Sequence, residues 1–192
     1  MKNLFLTLKS WQLFLLIFLI PMVVGGFSIN YALNHLHYSH WMNAIMGLMF
    51  FIEIGIFLWF HAIVFGLDNR LATELQSTQK WFGIFVITRF VGLFSALKII
   101  DYLVFCSYTD GVKFPIGDKL GTIIAGIIVS VLLAFLAQLG TIFTVAKTIK
   151  TNELQAKVSF SNYIGEAVML YFLPIGIFIL QPKINNFFKN EI

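Results

Sequence analysis

The sequence predicts an all-α bundle of transmembrane helices, a single domain over residues 1–192 with about five spans and short loops. Three observations lead there. The chain is 59% apolar and only 11% charged, against roughly 45–50% and about 25% in a soluble domain. Its 22 phenylalanines suit a lipid-facing surface and packing between helices. Its apolar residues gather into five runs of membrane-spanning length, separated by short polar links.

The first run, 11–31, follows a basic start at Lys2 and Lys9. It is too long for a signal-peptide core and leads into Phe27-Ser28-Ile29-Asn30, which is no cleavage site, so it reads as a retained span. Pro21 should kink it, and Gly25-Gly26 would let a neighbour approach closely. The second run covers 42–66. After it, Leu67, Leu71 and Leu75 recur every four residues, which predicts an interfacial helix over 68–80. The third run, 82–105, begins beside Trp81 at an interface position. Thr109-Asp110-Gly111 and Phe114-Pro115 are turn signals. The fourth run, 120–145, has a helical pattern that extends through Lys147 and Lys150 toward Glu153. Ser159 to Asn162 then breaks the pattern before the fifth run, 163–180, which holds Pro174 and stops at Gln181-Pro182.

Lysine and arginine placement orients the bundle, because cytoplasmic loops carry the excess. A cytoplasmic N-terminus puts seven inside (Lys2, Lys9, Arg70, Lys80, Lys147, Lys150, Lys157) and four outside (Lys113, Lys119, Lys183, Lys189). The tail lysines are the discordant pair. A re-entrant turn around Pro174, in place of a fifth span, would return them inside.

Charges within spans are expensive, roughly 2.5–3.5 kcal/mol each on insertion scales, and normally face the bundle interior. Glu53 lies near the middle of the second run. Arg89 falls at a matching depth on an antiparallel third helix, so the two should pair, with His61 nearby. That cluster is either a structural salt bridge or an ion or proton relay. Lys98 and Asp101 have same-helix spacing and form a secondary polar pair. Glu166 opens the fifth run, where an acid suits a helix N-terminus. On the fourth run, Gly126, Ser130, Ala134, Ala137, Gln138, Thr141, Thr144 and Thr148 fall within roughly 120° of arc. Such a face packs against another helix or lines a conduit.

The motifs of soluble enzymes do not occur. The sequence has no nucleophile elbow, phosphate-binding glycine loop or His-Glu-x-x-His. His35, His37 and His40 lack a carboxylate or cysteine partner, and a single cysteine, Cys106, makes neither a disulfide nor a thiolate cluster. No metal, cofactor or catalytic residue is expected. The net charge of +4 is spread over loops without a basic stripe, so nucleic acid is not an expected partner.

Several stretches resemble small polytopic inner-membrane proteins of Bacteroidota without established activity. They are Lys147-Thr-Ile-Lys-Thr-Asn-Glu-Leu-Gln155, Ser159 to Glu166, Phe172-Leu-Pro-Ile-Gly-Ile-Phe178, Gln181-Pro-Lys-Ile-Asn185, and Trp59 to Arg70. The resemblance implies a bacterial inner (cytoplasmic) membrane. Some such proteins look like permease components of ABC exporters, from which this chain departs in being shorter and having fewer spans.

The expected function is that of a non-enzymatic subunit or accessory protein of a membrane complex, in transport or export. Its partners would be the lipid bilayer and a second membrane protein or another copy of itself. A self-contained ion- or proton-coupled carrier using Glu53, His61 and Arg89 is the first alternative. A membrane-embedded enzyme acting on lipid or peptide is the second.

Overall fold

The computed structural model describes residues 2–35, 38–69, 71, 79–108 and 116–189, with side chains over 5–31, 44–69, 71, 81–103 and 121–188. The expected interfacial helix at 68–80, the histidines at 35, 37 and 40, Cys106, and the turn at 109–115 lie wholly or largely outside these residues. The described chain is helical throughout: α1 (Lys2–Thr7), α2 (Ser10–Phe14), a π-helical turn (Leu15–Leu19), α3 (Ile20–His35), α4 (Tyr38–Asp68), α5 (Gln79–Tyr108), α6 (Ile116–Leu154), α7 (Phe160–Tyr171) and α8 (Leu173–Lys189).

Four stretches are long and apolar enough to cross a membrane: Ser10–Tyr31, Ala44–Asp68, Trp81–Leu103 and Gly121–Leu154. The protein is therefore an integral membrane protein. In the first span the π-helical turn sits directly before Pro21. Proline has no N–H for the Ile17 carbonyl, and its ring crowds that group, so the helix widens there by one residue.

The spans alternate in direction. Gly25 meets Leu48 and Gly55 meets Ile17, so α3 and α4 are antiparallel. Gly92 backs onto the Ser130 carbonyl and Gly140 onto Phe85, which makes α5 and α6 a second antiparallel pair. Small residues serve the same purpose at both crossings, since they allow close approach where lipid supplies no hydrophobic drive.

The fifth apolar run is not one helix. It divides at Phe172, whose backbone leaves helical geometry, and Leu173 and Pro174 form the first turn of α8. Proline is tolerated at a helix start, where its missing N–H has no intrahelical partner anyway. The chain folds back sharply at this point. A side chain at Gly176 would strike the Met169 carbonyl. Lys183 lies 2.9 Å from Glu166, though a continuous helix would hold them ~25 Å apart.

Helix α8 then runs toward the end of the bundle that holds α1. It does not stop at Gln181-Pro182, as the local pattern suggested, but continues through Pro182 to Lys189. Gln181, fully buried, is the reason it docks. Its Oε1 accepts from Trp59 Nε1 at 2.8 Å, and its Nε2 donates to the Phe5 and Leu8 carbonyls at 2.9 and 3.1 Å. Asn185 also donates to Leu8, and Asn152 of α6 donates to the Leu67 carbonyl at the end of α4. One amide thus ties α1, α4 and α8 together and satisfies the carbonyls left where α1 ends.

The core is confined to this end, termed the inner end. It gathers Leu13, Ile17, Trp59, Phe60, Ile63, Phe82, Ile149, Leu170 and Ile177. Among described residues, buried apolar side chains begin at Ile56 on α4 and at Ala137 on α6, and on α5 only Ala96 lies outward of Val86. Toward the opposite, outer end, α4 and α5 part around a cavity.

Replacing Gln181 with Leu should orphan the Trp59 N–H and the Phe5 carbonyl in an apolar setting. Each orphaned group costs about 1–3 kcal/mol. The expected outcome is a clear drop in unfolding temperature in detergent, read by circular dichroism. An unchanged transition would show that the tie contributes nothing.

Candidate functional site

Glu53 and Arg89 meet between α4 and α5, where the packed inner end gives way to the open outer end. An Arg89 guanidinium nitrogen lies 2.6 and 2.5 Å from the two Glu53 carboxylate oxygens. The side chains are 18% and 12% exposed. Helical spacing explains the meeting: Phe57 packs against both Phe82 and Phe90 across the same interface, and this antiparallel register brings Arg89 level with Glu53. Each charge removes the other's need for water, which hydrocarbon does not supply.

His61 lies two turns inward, ~12 Å of helix rise from Glu53. Its ring stacks on Phe65 at 4.2 Å and sits among Phe57 and Phe82. The expected trio is therefore a pair plus a histidine within an aromatic cluster. Lys98 and Asp101 are 3.7 Å apart, with side chains 52% and 28% exposed, a loose contact at the outer level of α5.

The small-residue face of α6 has two parts. Ser130 and Ala134 pack against Gly92. Ala137, Thr141, Thr144 and Thr148 are buried, and the three threonine hydroxyls donate to carbonyls of their own helix. Packing occupies this face. Gln138 departs from that pattern: its Oε1 is buried without a hydrogen-bond partner. It lines a 270 Å³ cavity with Glu53, Arg89 and Leu93, large enough and polar enough to admit water. A second cavity of about 570 Å³ opens on the other side of Glu53, between α4 and α5, with Met46, Phe50, Phe90, Phe94 and Lys98 on its walls.

Glu166 takes a different role from the helix-start acid read in the sequence. It is buried in mid-α7 and faces Lys183 at 2.9 Å and Lys150 at 3.4 Å, and both lysines also reach Glu153 at 2.8 Å. These four residues join the α7–α8 elbow to the end of α6. In the sequence Gln181 reads only as a stop, and Asn185 and Asn152 have no assigned role. The available signal was an amide set inside or beside an apolar helix, where it needs partners. The partners themselves are more than 80 residues distant in sequence.

Arg89→Ala should leave the Glu53 carboxylate uncompensated and cost about 3–5 kcal/mol. The double change Glu53→Leu with Arg89→Met should recover most of that loss. Thermal unfolding of the purified variants checks both. If Arg89→Ala were as stable as the parent, the pair would have no structural role.

No family model, curated protein or solved structure matches the chain.

Proposed function

We propose that this protein is a non-enzymatic subunit or accessory protein of a membrane complex, with both described ends of the chain on the cytoplasmic side. The observation that carries the reading is the direct closure of Glu53 on Arg89. A carrier needs an intramembrane charge that exchanges partners with its cargo. Here the central carboxylate is committed to a guanidinium, and His61 packs among phenylalanines two turns away. Apart from Lys98 and Asp101, what remains toward the outer end is largely apolar surface, which is surface for lipid and for other helices.

The orientation rests on the fold-back at Phe172. Returning α8 to the inner end moves Lys183 and Lys189 to the side of the N-terminus. Nine Lys and Arg residues of the links and ends then lie inside, and only Lys113 and Lys119 lie outside. This bias is much stronger than a five-span chain would give, and it agrees with a bacterial inner membrane.

A proton-coupled carrier is the second reading, and Gln138 is what favours it. An unpartnered amide oxygen beside the ion pair is a place for water to enter.

A C-terminal affinity tag tests the proposal. In spheroplasts the tag should resist added protease, and after cross-linking at native expression the chain should run in one discrete assembly well above its 21.9 kDa mass. Proton-linked flux by the purified chain alone in proteoliposomes, abolished by Glu53→Gln, would contradict it and establish the carrier.

A further inference from the structure

The cavity between α4 and α5 runs about the depth of one lipid leaflet. Its floor is Glu53 beside Arg89, and its mouth is at Lys98. Arg89 and Lys98 are nine residues apart on α5, ~13.5 Å of helix rise. Half the hydrocarbon thickness of a bilayer is ~15 Å. The slot therefore reaches from mid-membrane to headgroup level. A helix ~10 Å across and equally long would occupy about 1,000 Å³, nearly twice the 570 Å³ present, whereas an acyl chain is far thinner. The walls suit such a chain, since Met46, Met49, Phe50 and Phe94 are apolar and the methionines adapt to irregular shapes.

Lys98 at the mouth has an acidic neighbour one turn further along α5. The Lys98 ammonium lies over Phe94, 6.0 Å from the ring centroid, and 3.7 Å from the Asp101 carboxylate. At that separation the pair is longer than a hydrogen bond, and Lys98 is half exposed. Both groups keep capacity for a second partner. Tyr102 and Thr122 line an adjoining depression of 350 Å³ that also includes Lys98, so hydroxyl-bearing side chains stand at the same level. A cation and an anion side by side complement a headgroup that carries both charges.

We propose that this cleft is a binding site for one zwitterionic phospholipid of the outer leaflet, with a phosphoethanolamine headgroup. One acyl chain enters between α4 and α5 as far as Glu53. The phosphate meets Lys98, and the primary ammonium meets Asp101. A quaternary choline has no N–H to donate to that carboxylate, and a glycerol headgroup has no cation. The site goes beyond the subunit reading, and only its leaflet rests on the orientation argued above.

Native mass spectrometry of the purified full chain, titrated with dioleoyl phosphatidylethanolamine, phosphatidylcholine and phosphatidylglycerol, tests the site. The expected result is one phosphatidylethanolamine retained per chain, about tenfold more tightly than either of the others. Asp101→Asn should erase the preference over phosphatidylglycerol. Lys98→Gln, at an exposed position, should weaken retention of all three. Leu97→Trp should fill the cleft and release the lipid. Equal, graded attachment of all three lipids to the parent chain would overturn the proposal. So would retention indifferent to Lys98→Gln, or a co-purifying polypeptide cross-linked to the cleft in place of lipid. Because the purified chain is used without partners, the outcome is independent of whether a larger complex exists.

Discussion

A charge in hydrocarbon must bring its own counter-charge, and the contact between Glu53 and Arg89 is where this molecule meets that requirement. The pair fixes the register of α4 against α5. Inward of it, aromatic rings interlock across the same interface through Phe57, Phe65 and Phe82. Outward of it, the two helices are separated by an apolar cavity. Helices α4 and α5 therefore form a wedge that is closed at one end and open at the other, with the buried charges at the apex of the opening.

The closed end is held by polar groups as much as by its core. Gln181 reaches α1 and α4, Asn152 caps the end of α4, and Lys183 with Lys150 bridges two glutamates. A helix end that abuts another element needs partners for its last carbonyls, and here side-chain amides from distant helices provide them. The elbow at Phe172 makes this possible, because it returns α8 to the level of Phe5 and Leu8. Apolar side chains on the outer faces of α7 and α8, among them Ile164, Val168, Phe172, Ile175 and Ile179, remain exposed. That is the pattern of an element inserted among lipid tails rather than laid in water.

Much of this was legible in the sequence. Long apolar runs marked the four spans together with a fifth run that the structure folds back at Phe172, and depth counting on antiparallel neighbours brought Glu53 to Arg89. The helical period also carried α6 past Lys150 to Leu154. What local pattern missed has a common cause. Pro174 can kink a helix or start one, and only the tertiary position of Lys183 decides between them. Glu166 has the spacing of a helix-start acid, yet its partners come from α6 and α8. Gln181 beside Pro182 reads as a stop signal. Its actual role depends on Trp59, 122 residues away, a pairing that no periodicity encodes.

The division between a packed inner end and a parted outer end is the claim on which the rest stands. Spin-label distances between α4 and α5 in lipid nanodiscs measure it directly, in a Cys106→Ser background. One label pair would replace Met46 and Leu97 at the outer level, and another would replace Phe65 and Trp81 at the inner level. The account predicts a short, narrow distribution at the inner level and a longer one at the outer level. Equally short distances at both levels would mean that the helices close along their whole length, and would contradict it.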